Sequence, residues 1–237
     1  MPLRDYQVGS NDLNSAMFQR RYEPNFAWGN ALAAMQLLPQ LRGLWPMSSV
    51  DANGDVFDFS EQDHTLTNFS ATPFGVDGLV PYADPDGAAD YLFHLDHLEM
   101  EVTGALCTGG WFWVDSLASE QVLISKWNTV GNQRSYKLSV LTTGAAQAQV
   151  SVDGTAETTV AGTAGEIVVG AWNLLIMHYV PSTFLEVHVN KTHYENVTSI
   201  PAAIFNSTSR FMIGGYNNTT AALDGRAALC FLCANDT

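Results

Sequence analysis

Residues 81–115 read PYADPDGAADYLFHLDHLEMEVTGALCTGGWFWVD. Asp86-Gly87 supplies the backbone freedom of a turn, Tyr91–Leu95 follows as a short strand, and Gly109–Val114 reads as a strand packed on both faces. A two-residue period puts Trp111 and Trp113 on one side of that strand and Phe112 and Val114 on the other, one side core and the other covered by a second layer. Outward from this stretch, further candidate strands are Gln121–Trp127, Arg134–Leu141, Ala146–Val152, Ala156–Ala161, Trp172–Val180, Thr183–Val189, Arg210–Gly215 and Gly225–Cys233. Strands at a spacing of about ten residues with turn signals between them are the mark of an all-β sandwich. Tyr136, Leu138 and Val140 alternate with Ser135, Lys137 and Ser139, which predicts one wet face, whereas Trp172–Val180 is apolar on both faces and reads as a central strand.

The same residues carry a resemblance. Asp86-Gly87 with Asp90-Tyr91-Leu92, then GWFWVD (110–115), LISKW (123–127) and SYKLSVL (135–141), resemble the laminin-G-like and pentraxin-like branch of the concanavalin A-like lectin/glucanase superfamily. Gly170–Val180, Leu185–Asn190, Phe211–Gly215 and Leu223–Arg226 continue that order. The resemblance spans roughly residues 43–233 and implies a jelly-roll sandwich of two antiparallel sheets, but no single activity.

At 237 residues, with 46% hydrophobic and 14% charged residues, the chain is long and apolar enough for one globular domain, and no apolar run approaches the roughly 18 residues of a membrane span. The formal charge of −14 argues against nucleic acid as a partner, because phosphate recognition needs a basic surface. Residues 1–42 hold four arginines against three acids, a net of +1, so the remainder carries −15 of that −14 total. Met1–Tyr6 shows no basic-then-apolar signal region, so classical secretion is not expected. Cys107, Cys230 and Cys233 are an odd set and read as buried free thiols.

Residues 1–28 lack a sustained hydrophobic period and read as an extended arm. Asn30 caps a short helix, Ala31–Leu38, that Pro39 stops and that is apolar nearly all round. The division expected is an arm with helix over 1–40 and a jelly-roll domain over 41–237. Ordering an arm without a hydrophobic period costs about 1–2 kcal/mol per residue in backbone entropy, so a partner is expected to supply its contacts. The docking residues are Arg20 and Arg21 as forked donors, Tyr22, Phe26 and Trp28 as anchors, and Leu32 and Met35 from the helix. A homo-oligomer fits the same pattern, a trimer about that helix being one form that would bury it.

No acid and nucleophile pair of the glycosidase pattern is present: Glu99 and Glu101 share a strand face if that segment is extended, but read as a solvated acidic edge, and the expectation is a protein without catalysis. The family resemblance suggests Ca2+, for which Asp84, Asp86 and Asp90 cluster at the central turn; the alternative is Asx-type turns without metal, and the same choice applies to Asp51, Asn53, Asp55 and Asp58. Sugar recognition stacks an aromatic face on the pyranose and rims it with polar groups, which selects Trp127, Asn128 and Arg134 with Tyr216, Asn217 and Asn218 in neighbouring loops. Together these features lead to an expected virion-surface structural protein, a phage head-decoration or fibre-type component. Its arm docks on a capsid or other virion protein, and its lectin-like domain faces host or environmental glycans. A free-standing lectin and a divergent glycosidase are the alternatives.

Overall fold

The computed structural model describes residues 41–60, 62–217 and 221–235. The arm, the helix 31–38 and the docking residues Arg20, Arg21, Tyr22, Phe26, Trp28, Leu32 and Met35 lie outside them, as does Asn218. The strands are Leu41–Trp45 (β1), Thr67–Phe69 (β2), Phe74–Asp77 (β3), Val80–Ala83 (β4), Tyr91–His94 (β5), Ala105–Val114 (β6), Gln121–Asn128 (β7) and Gln133–Val140 (β8). They continue as Ala146–Ser151 (β9), Glu157–Ala161 (β10), Trp172–Val180 (β11), Phe184–Val189 (β12), Thr192–Asn196 (β13), Phe211–Ile213 (β14) and Gly225–Asn235 (β15). Among the described residues one 3-10 turn, Leu98–Met100, interrupts them.

Two antiparallel sheets face each other. One has eight strands in the order β13-β12-β11-β6-β15-β4-β3 with β1 added on β15, and the other has seven, β10-β9-β8-β7-β14-β5-β2. Such non-sequential order is that of a jelly-roll sandwich, as the spacing of the strands implies. The core lies between the sheets, where Phe112, Val114, Leu175, Met177 and Tyr179 of the first meet Tyr136, Leu138, Val140 and Phe211 of the second, all fully buried. Trp45 of β1 stacks on Phe211 of β14 at 5.0 Å between ring centroids, and its Nε1–H donates to the His64 carbonyl at 2.8 Å, so one indole ties both sheets and a loop.

The alternation expected of Gly109–Val114 is present: Phe112 and Val114 point into the core, and Trp111 and Trp113 lie half-buried on the outer face. β11 is central as expected, between β12 and β6: Asn173, Leu175, Met177 and Tyr179 are inside, and Leu174, Ile176 and Val180 are half-buried on the outer face. One strand expectation needs correction. The polar face of β8 is not wet: Ser135 and Ser139 are 1% and 0% exposed, with hydroxyls that make no hydrogen bond. Neighbouring strands of a wide sheet shield short side chains even on the outer face, so polarity alone misjudged solvent access. All three cysteines are free thiols; Cys230 and Cys233 are buried, and burial pushes the Cys233 thiol up to about 12.

The chain turns from the acidic loop into β15 at Gly225, which has φ +145, and a Cβ there would collide with the Trp113 carbonyl. Gly225→Ala should therefore lower the unfolding free energy by more than about 2 kcal/mol in urea denaturation, whereas Gly78→Ala, at positive φ but in open space, should cost about 1 kcal/mol. Equal losses would show that strained dihedrals alone, not the close approach to β6, set the cost.

Candidate functional site

The outer face of the eight-stranded sheet carries an aromatic patch that follows from register. Trp172 of β11 pairs with Trp113 of β6, and Trp113 pairs with Arg226 of β15, so three large side chains stand in one row across neighbouring strands. Tyr82 reaches the same place from β4. The Arg226 guanidinium lies over both Tyr82 and Trp113, at 4.7 Å from each ring centroid, and the Trp172 ring meets Trp113 edge-on at 6.0 Å and Tyr82 at 6.1 Å.

Carboxylates fix this arrangement. Trp172 Nε1–H donates to Asp77 Oδ2 at 2.9 Å, and Trp113 Nε1–H donates to Asp115 Oδ1 at 2.8 Å. Arg226 stands 3.9 Å from Asp77 and 3.7 Å from Asp84. Burial holds the Asp84 carboxyl above its usual range, an effect that Arg226 opposes and that Asp115 and Asp224 reinforce. The result is a rigid set of half-buried rings bordered by hydrogen-bond acceptors, with its one cation neutralised in place.

Sequence reasoning selected other residues for this role, and the structure brings some of them together. Trp127 and Tyr216 both flank the Lys137 ammonium, at 5.5 and 5.9 Å, on the outer face of the seven-stranded sheet. Trp127 is only 2% exposed and offers no open ring face, while Lys137 Nζ is held by Glu120 Oε1 at 2.8 Å. Arg134 turns away from both rings: its Nη1 donates to the carbonyls of Gly154 and Thr155, and its Nε lies 3.3 Å from Glu157. Asn128 bridges to Asn217, whose side chain donates to Ser209 Oγ. Trp127 thus presents no open ring face, while the partly exposed Arg134 is engaged by Gly154, Thr155 and Glu157.

The acids behave as turn formers. Asp51 Oδ1 accepts from the amides of Asn53 and Asp55, and Asp58 Oδ1 from those of Leu44 and Ser60. Asp90 Oδ1 accepts from the Asp86 amide at 2.8 Å, but Asp84 faces Arg226 instead. Among the described residues Asp84, Asp86 and Asp90 do not converge as a three-residue ligand set, so the residues present do not fit the Ca2+ suggested for them. Glu99 and Glu101 do not share a strand face. They straddle the end of the 3-10 turn, Glu99 toward His64 and Glu101 toward Asn206, whose side-chain amide donates to it at 2.7 Å.

Tyr82, Trp113, Trp172 and Arg226 were not selected from sequence, because nothing local shows that residues from four strands meet. The signal that was present is the alternation that puts Trp113 on an outer face.

No family model and no curated protein matches this chain. Solved structures do match in fold. The binding domain of Paraclostridial Mosquitocidal Protein 1 aligns over 84% of this chain and 50% of its own, at 10% identity and a TM-score of 0.67. Domain 4 of AbnA, a GH43 extracellular arabinanase from Geobacillus stearothermophilus, solved with arabinotriose, aligns over 83% and 93%, at 14% identity and a TM-score of 0.57. The botulinum neurotoxin serotype D ligand binding domain, solved with N-acetylneuraminic acid, aligns over 86% and 50%, at 8% identity and a TM-score of 0.58. The chain spans about half the length of the toxin domains and nearly all of the arabinanase domain. The fold is thus the two-sheet antiparallel sandwich that these domains share.

Asp90 makes a pH prediction. Burial, and then the neighbouring Asp86, push its carboxyl up from 3.8 to about 6 in the folded state. The folded protein holds that proton more tightly than the unfolded chain, so the stability it provides is fully present below about pH 3.8 and is lost as pH rises through about 6. Asp90→Asn keeps an acceptor for the Asp86 amide and removes the ionisation. Thermal unfolding between pH 4 and 7 should show the variant gaining stability relative to wild type toward pH 7 and matching it at pH 4; parallel profiles would refute the assignment.

Proposed function

We propose that the sandwich is a non-catalytic carbohydrate-binding module and that a neutral oligosaccharide lies on Tyr82, Trp113 and Trp172. The single observation that carries this reading is the half-buried aromatic patch, fixed on a sheet face and edged by carboxylates. The weakly polarised C–H face of a pyranose packs on such rings, while its hydroxyls donate to acceptors such as Asp77 and Asp115. The same acceptors repel an anionic sugar, since Arg226 is already engaged by Asp77 and Asp84. The arabinotriose bound to the arabinanase domain, a neutral oligosaccharide on a fold of this kind, supports the ligand class.

We further propose the setting expected from sequence: the surface of a virus particle, with residues 1–40 as the attachment device and a homo-oligomer as the assembled form. The support is the sequence resemblance to the laminin-G-like branch, together with the excess of arginine ahead of an acidic domain.

A glycan array probed with the full chain should return neutral oligosaccharides. Calorimetry on the best of them should show at least about a tenfold weaker affinity for Trp172→Ala, in line with about 1.5 kcal/mol per stacked ring. Binding that survives Trp172→Ala but is lost in Tyr216→Ala would move the site to the other sheet, and an array returning only sialylated glycans would overturn the neutral class. Deleting residues 1–40 should abolish association with purified particles while leaving glycan affinity unchanged; a truncated chain that still binds particles would overturn the proposed attachment.

A further inference from the structure

His64, His97 and Glu99 meet at one end of the sandwich, with ligand atoms all within 4.8 Å of one another. His64 lies just before Leu66, which bridges back to Val56, and His97 caps the 3-10 turn that carries Glu99. The His64 ring is 2% exposed. Its Nδ1 lies 2.6 Å from the Arg42 carbonyl, which only accepts, so Nδ1 carries the proton and Nε2 presents a lone pair when the ring is neutral. That Nε2 is 3.2 Å from Glu99 Oε2, yet it is buried without a hydrogen-bond partner. The contact is therefore close but misaligned for N–H···O, the geometry expected when two lone pairs point at a third position instead of at each other.

We propose that this third position is a binding site for a divalent cation of the zinc type, held by His64 Nε2, the His97 imidazole and Glu99 Oε2. A tetrahedral ion with bonds of about 2.0–2.1 Å sets its ligand atoms about 3.4 Å apart, close to the 3.2 Å between His64 Nε2 and Glu99 Oε2. The His64 to carbonyl hydrogen bond is the outer-shell contact that orients a ligating imidazole. Two nitrogens and one oxygen select zinc, cobalt or nickel over calcium. A third imidazole stands beside the site: His94 lies 5.1 Å from His64 between ring centroids, with its Nδ1 2.7 Å from the Leu95 carbonyl. His97 Nδ1 takes only a long 3.4 Å contact from the Glu99 amide, which does not commit the ring.

The other His/Glu cluster, His178, Glu186 and His188 on β11 and β12, does not show this mismatch. There His188 Nε2 and Glu186 Oε2 form an ordinary hydrogen bond at 2.9 Å, which accounts for their approach without an ion. A cation at His64 would instead fasten the loop before β2, packed under Trp45, to the connection after β5. Its function would be to hold the open end of the sandwich, independently of any glycan.

The test uses full-length protein stripped with chelator, titrated with Co2+ and read by its visible ligand-field absorption, and melted with and without Zn2+. Expected are one equivalent of tetrahedral Co2+ displaced by Zn2+, a melting midpoint raised by Zn2+ but not by Ca2+, and loss of both in His97→Gln and in Glu99→Gln. The affinity lost should exceed the about 10–100-fold that outer-shell changes cost. Both positions are partly or fully exposed, so the variants should fold, which their midpoints in chelator will verify. His188→Gln should retain the response. No Co2+ band, a band lost only in His188→Gln, or a midpoint that follows pH between 5 and 8 but not Zn2+ would overturn the proposal, the last identifying a protonated His64–Glu99 ion pair.

Discussion

The antiparallel pairing of β6 with β11 is the constraint on which the rest of the molecule depends. It sets Trp113 opposite Trp172 and Phe112 opposite Asn173. Because side chains alternate, a slip of one residue would move Phe112 and Val114 out of the core and drive two tryptophans into it. Burial of Phe112, Val114, Leu175, Met177 and Tyr179 fixes this register from within, and the aromatic row on the outside follows from it. The patch is thus a by-product of core packing that the chain has furnished with partners: an arginine from β15, a tyrosine from β4, and carboxylates from the ends of β3 and β6.

The two outer faces differ in what they leave available. On the eight-stranded sheet the rings remain half-buried and their N–H groups are already satisfied by Asp77 and Asp115. On the seven-stranded sheet Lys137 lies against Trp127 and Tyr216 and is neutralised by Glu120, which closes those rings, and the exposed Phe69 stacks on Tyr91 at 4.6 Å elsewhere on the same sheet. Fixed rings lose little freedom on binding, which is why such a surface suits a ligand made largely of hydroxyls and C–H faces.

The ends of the sandwich are held by polar contacts. Lys126 is fully buried and faces inward, where it pairs with Asp96 and donates to the Ser209 carbonyl; burial pulls its pKa down, and the pairing with Asp96 opposes that. Trp45 joins β1 to Phe211 and to the His64 carbonyl. Buried charge and buried imidazole are costly unless satisfied, so these connections are specific to one arrangement of the loops.

By itself the sequence determined the fold class and most of the strands. Trp172–Val180 has the bounds expected of it, and β6, β7, β9 and β12 differ by a few residues, because a period of two and turn residues are local properties. It also determined that Trp111 and Trp113 share a face. The tertiary structure alone decided which aromatics are open. Trp127 and Trp113 each stand one residue before the end of a strand, and only the packing of Lys137 over the first and the half-exposure of the second separates an enclosed ring from a patch. It alone decided, too, that His64, His97 and Glu99 meet, since their separation in sequence follows no ligand spacing and their approach depends on how two loops close over the same end of the core.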